Sequence, residues 1–134
     1  MISDKQREFL GNHRLCVVGY SRTSGPPALT PVYYVLDGDD IVISTTASRA
    51  KAKVANHNPE MSVCVLAEES PFDYVTVFGR ARIENEGAVD AMMVIGGRMT
   101  GTPIAESARP ALEQRASDEG RVVLRITPER VISR

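Results

Sequence analysis

Residues 28–59 read ALTPVYYVLDGDDIVISTTASRAKAKVANHNP, and this stretch decides the fold class. Two runs rich in β-branched and aromatic residues, 28–36 and 41–45, flank the sequence DGDD at 37–40. Such a pair of runs around an Asp-Gly turn predicts an antiparallel β-hairpin. Pro31 lies inside the first run and cannot donate a hydrogen bond to a ladder, so this strand is expected at an edge, bulged or partly unpaired there.

The hairpin is followed by a helical pattern. Ala50 and Val54 are four residues apart, as on one face of a helix, and Asn58-Pro59 ends the pattern. We predict a helix over 48–56, with the hydroxyl of Ser48 as its N-cap.

The pattern outside this stretch continues with short strands and a few helices. Ser3 and Gln6 have the spacing of a capping box, and Gly96-Gly97 is expected to break the helix over 88–99. Gly79, in the middle of an alternating strand, predicts either a bulge or the close approach of a backbone or ligand. The sequence predicts helices over 3–10, 88–99 and 107–116, and strands over 14–20, 61–66, 74–84 and 121–127, the last extended by 131–132.

About six strands with short connections favour a largely antiparallel sheet closed into a small barrel. A parallel doubly wound fold would need a helix after nearly every strand. We therefore predict a mainly β fold with a few helices, as a single domain over residues 1–134.

Composition narrows the function classes. The chain has 134 residues, 43% of them hydrophobic, and a formal net charge of −1, which indicates a soluble globular domain. The near-neutral charge and the absence of tryptophan argue against nucleic acid or a membrane surface as a partner. With no apolar leader and only two cysteines, a cytoplasmic location is expected.

One segment is nevertheless cationic. Residues 41–59 contain no acid but hold Arg49, Lys51 and Lys53. Cations in the first turn oppose the helix macrodipole, whereas a bound anion would remove this conflict, because free backbone N–H groups and nearby hydroxyls would point at it. The segment therefore favours a phosphate site over the alternative, a solvated helix face.

Side chains that could perform catalysis themselves are scarce. We interpret His13 and His57 as structural, Cys16 and Cys64 as unreactive core thiols, and the acids of 68–71 (EESP) as part of a solvated turn. No spacing resembles a zinc site, so no metal is expected. If the protein is an enzyme, its reactive atoms should belong to a cofactor.

A planar group could bind beside the first strand of the hairpin. Residues 30–34 (TPVYY) place a backbone poor in amide donors beside two aromatic rings. The alternative is an ordinary edge strand whose aromatic side chains belong to the core.

The order of these motifs resembles the flavin- and deazaflavin-binding split barrels related to pyridoxamine phosphate oxidase. The resemblance covers most of the chain and departs from the family at Val54, where the family often has Asn. The resembling motifs are Gly25-x-Pro27, Thr30-Pro31-Val32-Tyr33, Asp37-Gly38-Asp39, 41–45 (IVIST), Ser48-Arg49-x-Lys51, Asn58-Pro59-x-Met61, the alternating strand 75–83 and the late run 127–131 (TPERV).

The resemblance implies a six-stranded antiparallel split β-barrel that forms a homodimer with a cofactor at the dimer interface. Short members often bind the deazaflavin coenzyme F420, and others bind FMN. By resemblance, Arg49 and Lys51 would hold the cofactor phosphate, with Lys53 as an addition. The remaining cofactor-binding residues would be Pro31, Val32 and Tyr33 beside the ring, and Ser44, Thr45 and Thr46 along the ribityl chain.

Together with the scarcity of catalytic side chains, the resemblance predicts an oxidoreductase that uses F420 to reduce a small unsaturated or quinone-like substrate. The alternatives are an FMN-dependent enzyme of the same fold, a non-catalytic flavin- or deazaflavin-binding module and, least supported, a nucleic-acid-binding barrel. Tyr33 and Tyr34 are the plausible proton donors near the ring. Substrate specificity is expected in the loop-like segments 22–26 and 97–109.

Overall fold

A computed structural model describes residues 1–69 and 72–134, so Ser70-Pro71 of the predicted turn lies outside the described residues. In this part of the chain, no helix is both long and apolar enough to cross a membrane. The elements are α1 (Asp4–Asn12), β1 (Leu15–Tyr20), β2 (Ala28–Tyr33), β3 (Val35–Asp37), β4 (Asp40–Thr46), α2 (Ala50–Ala55), β5 (Glu60–Leu66), β6 (Tyr74–Glu84), α3 (Ala88–Thr100), a 3₁₀ turn (Glu106–Ala108), α4 (Arg109–Glu119) and β7 (Arg121–Ser133).

The strands form one curled antiparallel sheet in the order β2-β1-β5-β6-β7-β4-β3. The chain is therefore mainly β, as predicted, and the sheet is a half-barrel. The predicted count of six strands is wrong, since the described residues form seven. The single run expected over 28–36 is two strands, β2 and β3, which lie at opposite edges of the sheet.

Tyr34 is the point at which this run divides. Its backbone N–H donates to the carbonyl of Arg14 at 3.1 Å, and its side chain is fully buried. Tyr34 alone joins β2 to β3, and these two strands are the opposite edges of the sheet. The sheet must therefore curl until its edges approach each other.

Two apolar clusters lie on the two sides of this curved sheet. The inner cluster fills the barrel and includes Val18, Ile43 and Leu124. The outer cluster joins α3 to the sheet through Ile95, Val42 and other residues. Alternation along the strands explains the division, because successive side chains point to opposite faces.

Gly79 fulfils both of its predicted roles. A Cβ atom there would lie 2.4 Å from the carbonyl oxygen of Thr127, so the neighbouring backbone approaches too closely for any other residue. The β6–β7 register also shifts between Phe78 and Gly79, opposite Pro128, which cannot donate to the ladder. The irregularity lets β7 continue as one strand of 13 residues, which confirms the extension expected at 131–132.

The prediction that Gly96-Gly97 breaks the third helix is wrong. α3 continues through both glycines and ends at Thr100, capped by Gly101 with a φ of 79°. A Cβ at Gly96 would lie 2.5 Å from Cδ1 of Ile104, and one at Gly97 would lie 3.3 Å from Cα of Pro103. The glycines therefore serve the close packing of the returning loop against the helix.

Two local predictions are confirmed. Ser3 and Gln6 form the reciprocal hydrogen bonds of a capping box at the start of α1. Asp37 pairs with Asp40 across the β3–β4 hairpin, whose turn uses Gly38 at a φ of 62°. Both features depend on residues close in sequence, so local patterns suffice to identify them.

Candidate functional site

Lys51 is the most unusual side chain of the basic segment, because it is buried, with only 6% of its surface exposed. Within residues 1–69 and 72–134, no carboxylate forms an ion pair with it. Burial, and secondarily the neighbouring charge of Arg49, lowers the pKa of the Lys51 ammonium. Burying an unpaired cation destabilises a protein, so this position is suited to an anionic ligand.

The start of α2 differs from the prediction. Ser48 is not the N-cap, since its hydroxyl lies 3.2 Å from that of Thr46 and the helix begins at Ala50. The N-cap position is Arg49, whose carbonyl accepts hydrogen bonds from the next turn and whose side chain is exposed. Arg49 therefore lies just before the helix, and Lys51 lies in its first turn.

The structure does not place Lys53 beside Lys51. Two residues correspond to a rotation of about 200° around a helix, and Lys53 is exposed in the last turn of α2. Val54, at the position where the sequence departs from the family pattern, packs against the inner core. Lys51 and Arg49 are therefore the better-placed cations of this segment.

The three predicted residues of β2 divide between the two faces of an edge strand. Pro31 is exposed and opposes Val17 of β1, which confirms its expected edge position. Val32 packs against the inner core, and Tyr33 packs against the outer cluster. Pro31 and Tyr33 thus point away from the barrel interior.

Strand alternation also separates Ser44, Thr45 and Thr46. Thr45 is buried and shares the inner face with Ile43, whereas Ser44 and Thr46 share the outer face with Val42. The predicted row of three hydroxyls along one ligand is therefore reduced to the two on the outer face.

A cavity of about 350 Å³ lies between the outer face of β2 and β4 and the helices α3 and α4. It brings together three of the predicted cofactor-binding residues: Val32, Tyr33 and Ser44. Its other walls are Met92, Ile95, Gly96, Met99, Ile104, Leu112, Arg115 and Arg121. Apolar walls with a few polar groups are typical of sites that bind small molecules.

Ser44 contributes a hydroxyl to the wall of this cavity. Its Oγ atom is buried and has no hydrogen-bond partner among the described residues. A buried hydroxyl without a partner costs free energy, so this atom is available to a polar group of a ligand.

Arg115 and Arg121 were not predicted as site residues. Both lie at the cavity and share one carboxylate, Glu119, whose pKa their hydrogen bonds lower. They meet because Gly120, at a φ of 65°, reverses the chain between α4 and β7. The i,i+4 spacing of Arg115 and Glu119 and the glycine after them are local signals for this ion pair, whereas its place at the cavity is not visible in the sequence.

The segment 97–109, predicted to hold specificity determinants, also lines a larger cavity of about 680 Å³ over α3. Its walls include Met93, Gly97 and Ile104, and Arg109 at its edge binds Glu106 and Asp90. Ile104 borders both cavities, so this segment separates them.

Tyr34 is unsuited to the predicted role of proton donor. Its hydroxyl donates to the carbonyl of Leu10 at 2.7 Å, and burial raises its pKa. Tyr33 remains the tyrosine at the cavity.

The remaining titratable candidates have structural environments. His13 stacks on Phe9 and bonds both the Phe9 carbonyl and Glu69, while burial raises the pKa of the Cys16 thiol to about 12. Cys64 is half-buried on the outer face of the sheet, opposite Val17, so the prediction of a core thiol is wrong for this cysteine, and His57 is exposed. Residues 1–69 and 72–134 contain no cluster of three or more metal-binding side chains.

Comparison with solved structures identifies the fold. A conserved hypothetical protein of Mycobacterium tuberculosis, Rv2991, is similar over 99% of this chain and 84% of its own, with a TM-score of 0.85 and 23% identity. An F420 reductase matches over 89% of both chains with a TM-score of 0.68 and 20% identity. HutZ, the heme storage protein of Vibrio cholerae, covers 98% of this chain and 94% of its own at a TM-score of 0.70 and 13% identity.

Among proteins with curated descriptions, none is significantly similar in sequence to this chain. The model of the pyridoxamine 5'-phosphate oxidase family matches residues 2–134. This match spans all of the elements described above, from α1 to β7. The chain belongs to the pyridoxamine 5'-phosphate oxidase family of split-barrel proteins.

Proposed function

We propose that this chain is an oxidoreductase that binds the deazaflavin coenzyme F420 and reduces a small unsaturated or quinone-like substrate. The observation that carries the proposal is Lys51, a buried ammonium without a carboxylate partner among the described residues. A cofactor phosphate would neutralise this charge, and the exposed guanidinium of Arg49 two residues earlier would add a second cation.

The cavity beside β2 and β4 fits the planar part of such a cofactor. Its volume of about 350 Å³ is within the usual range of ligand pockets, and its walls are largely apolar. Ser44 offers a buried hydroxyl without a partner, which suits a polar edge of the ring or the ribityl chain. Lys51 and Arg49 thus suit the phosphate of the cofactor, and the cavity suits its planar ring.

When bound, a deazaflavin supplies hydride transfer. The chain has to bind the cofactor, orient its ring and shield the ring from water. Met92 and Ile95 would exclude water from the ring, and Tyr33 would place an O–H group at the wall of the cavity as the proton donor. Lys51 would fix the position of the cofactor through its phosphate.

Relatives of the same fold support this proposal without deciding the cofactor. Similar structures include an F420 reductase, a FAD-binding protein and a heme storage protein. The family thus contains oxidoreductases and proteins that bind or store a ligand. FMN in place of F420, or binding without turnover, are the alternatives that an experiment must separate.

We further propose that the protein forms a homodimer through the outer face of β2, β1, β5, β6 and β7. One row of directly paired residues crosses all five strands without a charge: Pro31, Val17, Cys64, Thr76 and Ile132. The adjacent row carries one charge: Leu29, Gly19, Ser62, Phe78 and Arg130. A solvated sheet face normally carries polar side chains, so a second copy is the expected cover.

A fluorescence titration of the purified protein tests the cofactor assignment. F420 and FMN are titrated separately, each beside its phosphate-free analogue, the dephosphorylated deazaflavin or riboflavin. We expect F420 to bind more tightly than both FMN and its own phosphate-free form. FMN binding alone would select the flavin alternative, and the absence of binding by either would refute the cofactor site.

Variants locate the phosphate contact. Lys51→Glu should abolish binding of F420, and Lys51→Met, which keeps an apolar stem in the buried position, should weaken it strongly while the fold is retained. Lys5→Glu makes the same charge change on the exposed face of α1 and should leave the affinity unchanged. Affinity that stays within a few-fold in Lys51→Met would contradict the phosphate assignment. Turnover with a quinone acceptor then separates an enzyme from a binding module.

A further inference from the structure

We propose that the substrate is a small apolar molecule carrying one carboxylate, and that Arg115 and Arg121 bind this carboxylate at the end of the cavity between β4 and helices α3 and α4. This inference rests on the proposed function, because it assigns the substrate class of that site. It depends on the charge balance of the two arginines, on their position and on the walls of the cavity.

The charge balance leaves one cation uncompensated. The Nε atoms of Arg115 and Arg121 donate to the two oxygens of Glu119, at 2.8 and 2.7 Å. One carboxylate therefore serves two guanidinium groups. Within the described parts of the chain, the Nη groups of both arginines have no hydrogen-bond partner, so they remain available to an oxyanion.

The position of Arg121 directs this charge toward the cavity. Arg121 opposes Thr46 across the β4–β7 ladder and lies two residues before Val123, which opposes Ser44 on the same outer face. Its side chain is 19% exposed, whereas that of Arg115 is 56% exposed. Partial burial limits solvent screening, so Arg121 should contribute more of the binding than Arg115.

The remaining walls of the cavity indicate that the rest of the ligand is apolar. Leu112, Met99 and Ile104 provide apolar walls in the same cavity, which has a volume of about 350 Å³. A compact ring system with a single carboxylate satisfies the apolar walls and the free cationic groups together.

Isothermal titration of the purified chain with 2-naphthoate and with its neutral counterpart 2-naphthylmethanol tests this inference. We expect naphthoate to bind at least about tenfold more tightly, the size of effect that one charge-assisted hydrogen bond produces. Arg121→Gln should remove most of this preference and Arg115→Gln a smaller part. Lys5→Gln, which removes an exposed cation of α1, is the control and should leave the preference intact.

Several results would overturn the inference. These are equal binding of the two probes, no binding of either, or a preference for naphthoate that survives in the double variant of Arg115 and Arg121. The comparison of the two probes on the unmodified protein does not depend on how the variants fold.

Titration of F420 on the same proteins separates this inference from the proposed function. If Arg115→Gln and Arg121→Gln weaken F420 as much as naphthoate, the arginines serve the cofactor and the substrate assignment is wrong. If the unmodified protein binds no F420 but keeps its preference for naphthoate, the proposed function fails and the carboxylate site stands.

Discussion

The hydroxyl of Tyr34 donates a hydrogen bond of 2.7 Å to the backbone carbonyl of Leu10, which joins the end of α1 to the point where β2 becomes β3. Arg98 of α3 strengthens the same junction, because its Nε donates to the Tyr34 carbonyl at 3.1 Å and its guanidinium lies 5.5 Å from the centre of the ring. Three elements thus meet where the two edges of the sheet approach each other.

Tyr34→Phe should therefore destabilise the protein by about 1 kcal/mol, since it removes the shorter of two hydrogen bonds to the Leu10 carbonyl, leaves the one from Arg98 at 3.4 Å and preserves the volume of the ring. Tyr20→Phe is the matched control, because Tyr20 is also buried but donates no hydrogen bond to another described residue. Chemical denaturation monitored by circular dichroism measures both. Equal losses in the two variants would show that the Tyr34–Leu10 bond is not a stabilising contact.

The buried ammonium of Lys51 should titrate below its ordinary pKa of 10.5 in the ligand-free protein. The chain has only three lysines, and Lys5 and Lys53 are exposed, so ¹³C-lysine labelling yields three Cε signals to follow by NMR. Lys51→Met assigns the signal. A Lys51 signal that titrates at or above 10.5 in the free protein would contradict the assigned burial.

The sign of the linkage follows from this lowered pKa. Between the folded pKa and 10.5, the unfolded chain binds more protons at Lys51, so the free energy of unfolding should rise with pH across that window. Binding of a phosphate-bearing cofactor should raise the Lys51 pKa, because an opposite charge favours the ammonium. The dephosphorylated cofactor is the control and should leave the Lys51 titration unchanged.

Local patterns predicted a large part of this fold. The capping box of Ser3 and Gln6, the turn at 37–40 and the alternation of 74–84 depend on neighbours in sequence, and the structure confirms all three. The division at Tyr34 could not be predicted in this way, because a buried tyrosine within a β-rich run looks like any other strand residue. Its role depends on Leu10 and Arg98, which are distant in sequence.

The site shows the same limit. The acid-free segment around Lys51 identified a group of positively charged side chains. A local pattern could not reveal that Lys51 is buried while Lys53 is exposed. The spacing of Arg115, Glu119, Gly120 and Arg121 is a local signal for an ion pair at a helix end, but their position at the cavity depends on β2, β4 and α3, which are distant in sequence. Contacts between elements, rather than patterns within them, define this cavity.

Gly79 and Gly96 should respond differently to the same substitution. Gly79→Ala should cost about 3 kcal/mol, because the new Cβ would meet the rigid carbonyl of Thr127 at 2.4 Å. Gly96→Ala should change stability by less than about 1 kcal/mol, because its Cβ meets only the flexible end of Ile104 and alanine favours a helix. Thermal unfolding of both variants checks this order, and a larger loss for Gly96→Ala would reverse it.

Arg125 should stabilise the fold at neutral pH but not in acid. It bonds Glu84 and Asp37 at 2.8 Å and Asp40 at 3.4 Å, and its hydrogen bond holds the pKa of Glu84 below the usual range. Because the folded pKa is lowered, this stability is present above the unfolded pKa of about 4.3 and is lost as pH falls through the folded value.

Arg125→Gln should therefore cost about 1–3 kcal/mol at pH 7, and progressively less as pH falls below about 4. Urea denaturation over this pH range measures the difference from the unmodified protein. Lys5→Gln is the control at an exposed position of α1 and should show little loss at any pH. A loss for Arg125→Gln that does not change with pH would exclude the carboxylate contacts as its cause.

The row of uncharged residues across the outer face, from Pro31 to Ile132, predicts that the unmodified protein sediments as a dimer at micromolar concentration. Val17 lies within this face, paired with Pro31 on one side and Cys64 on the other, while Leu29 nearby is 71% exposed. Val17→Lys would place an ammonium within the proposed interface, where its desolvation opposes association. We expect this variant to sediment as a folded monomer, whereas Ala111→Lys on the exposed side of α4 should remain dimeric.

Since Pro31 belongs to the same face as the interface and is adjacent in sequence to the cavity residue Val32, loss of the dimer should also weaken cofactor binding. A monomeric unmodified protein would remove the interface and require the cavity to bind its ligands alone.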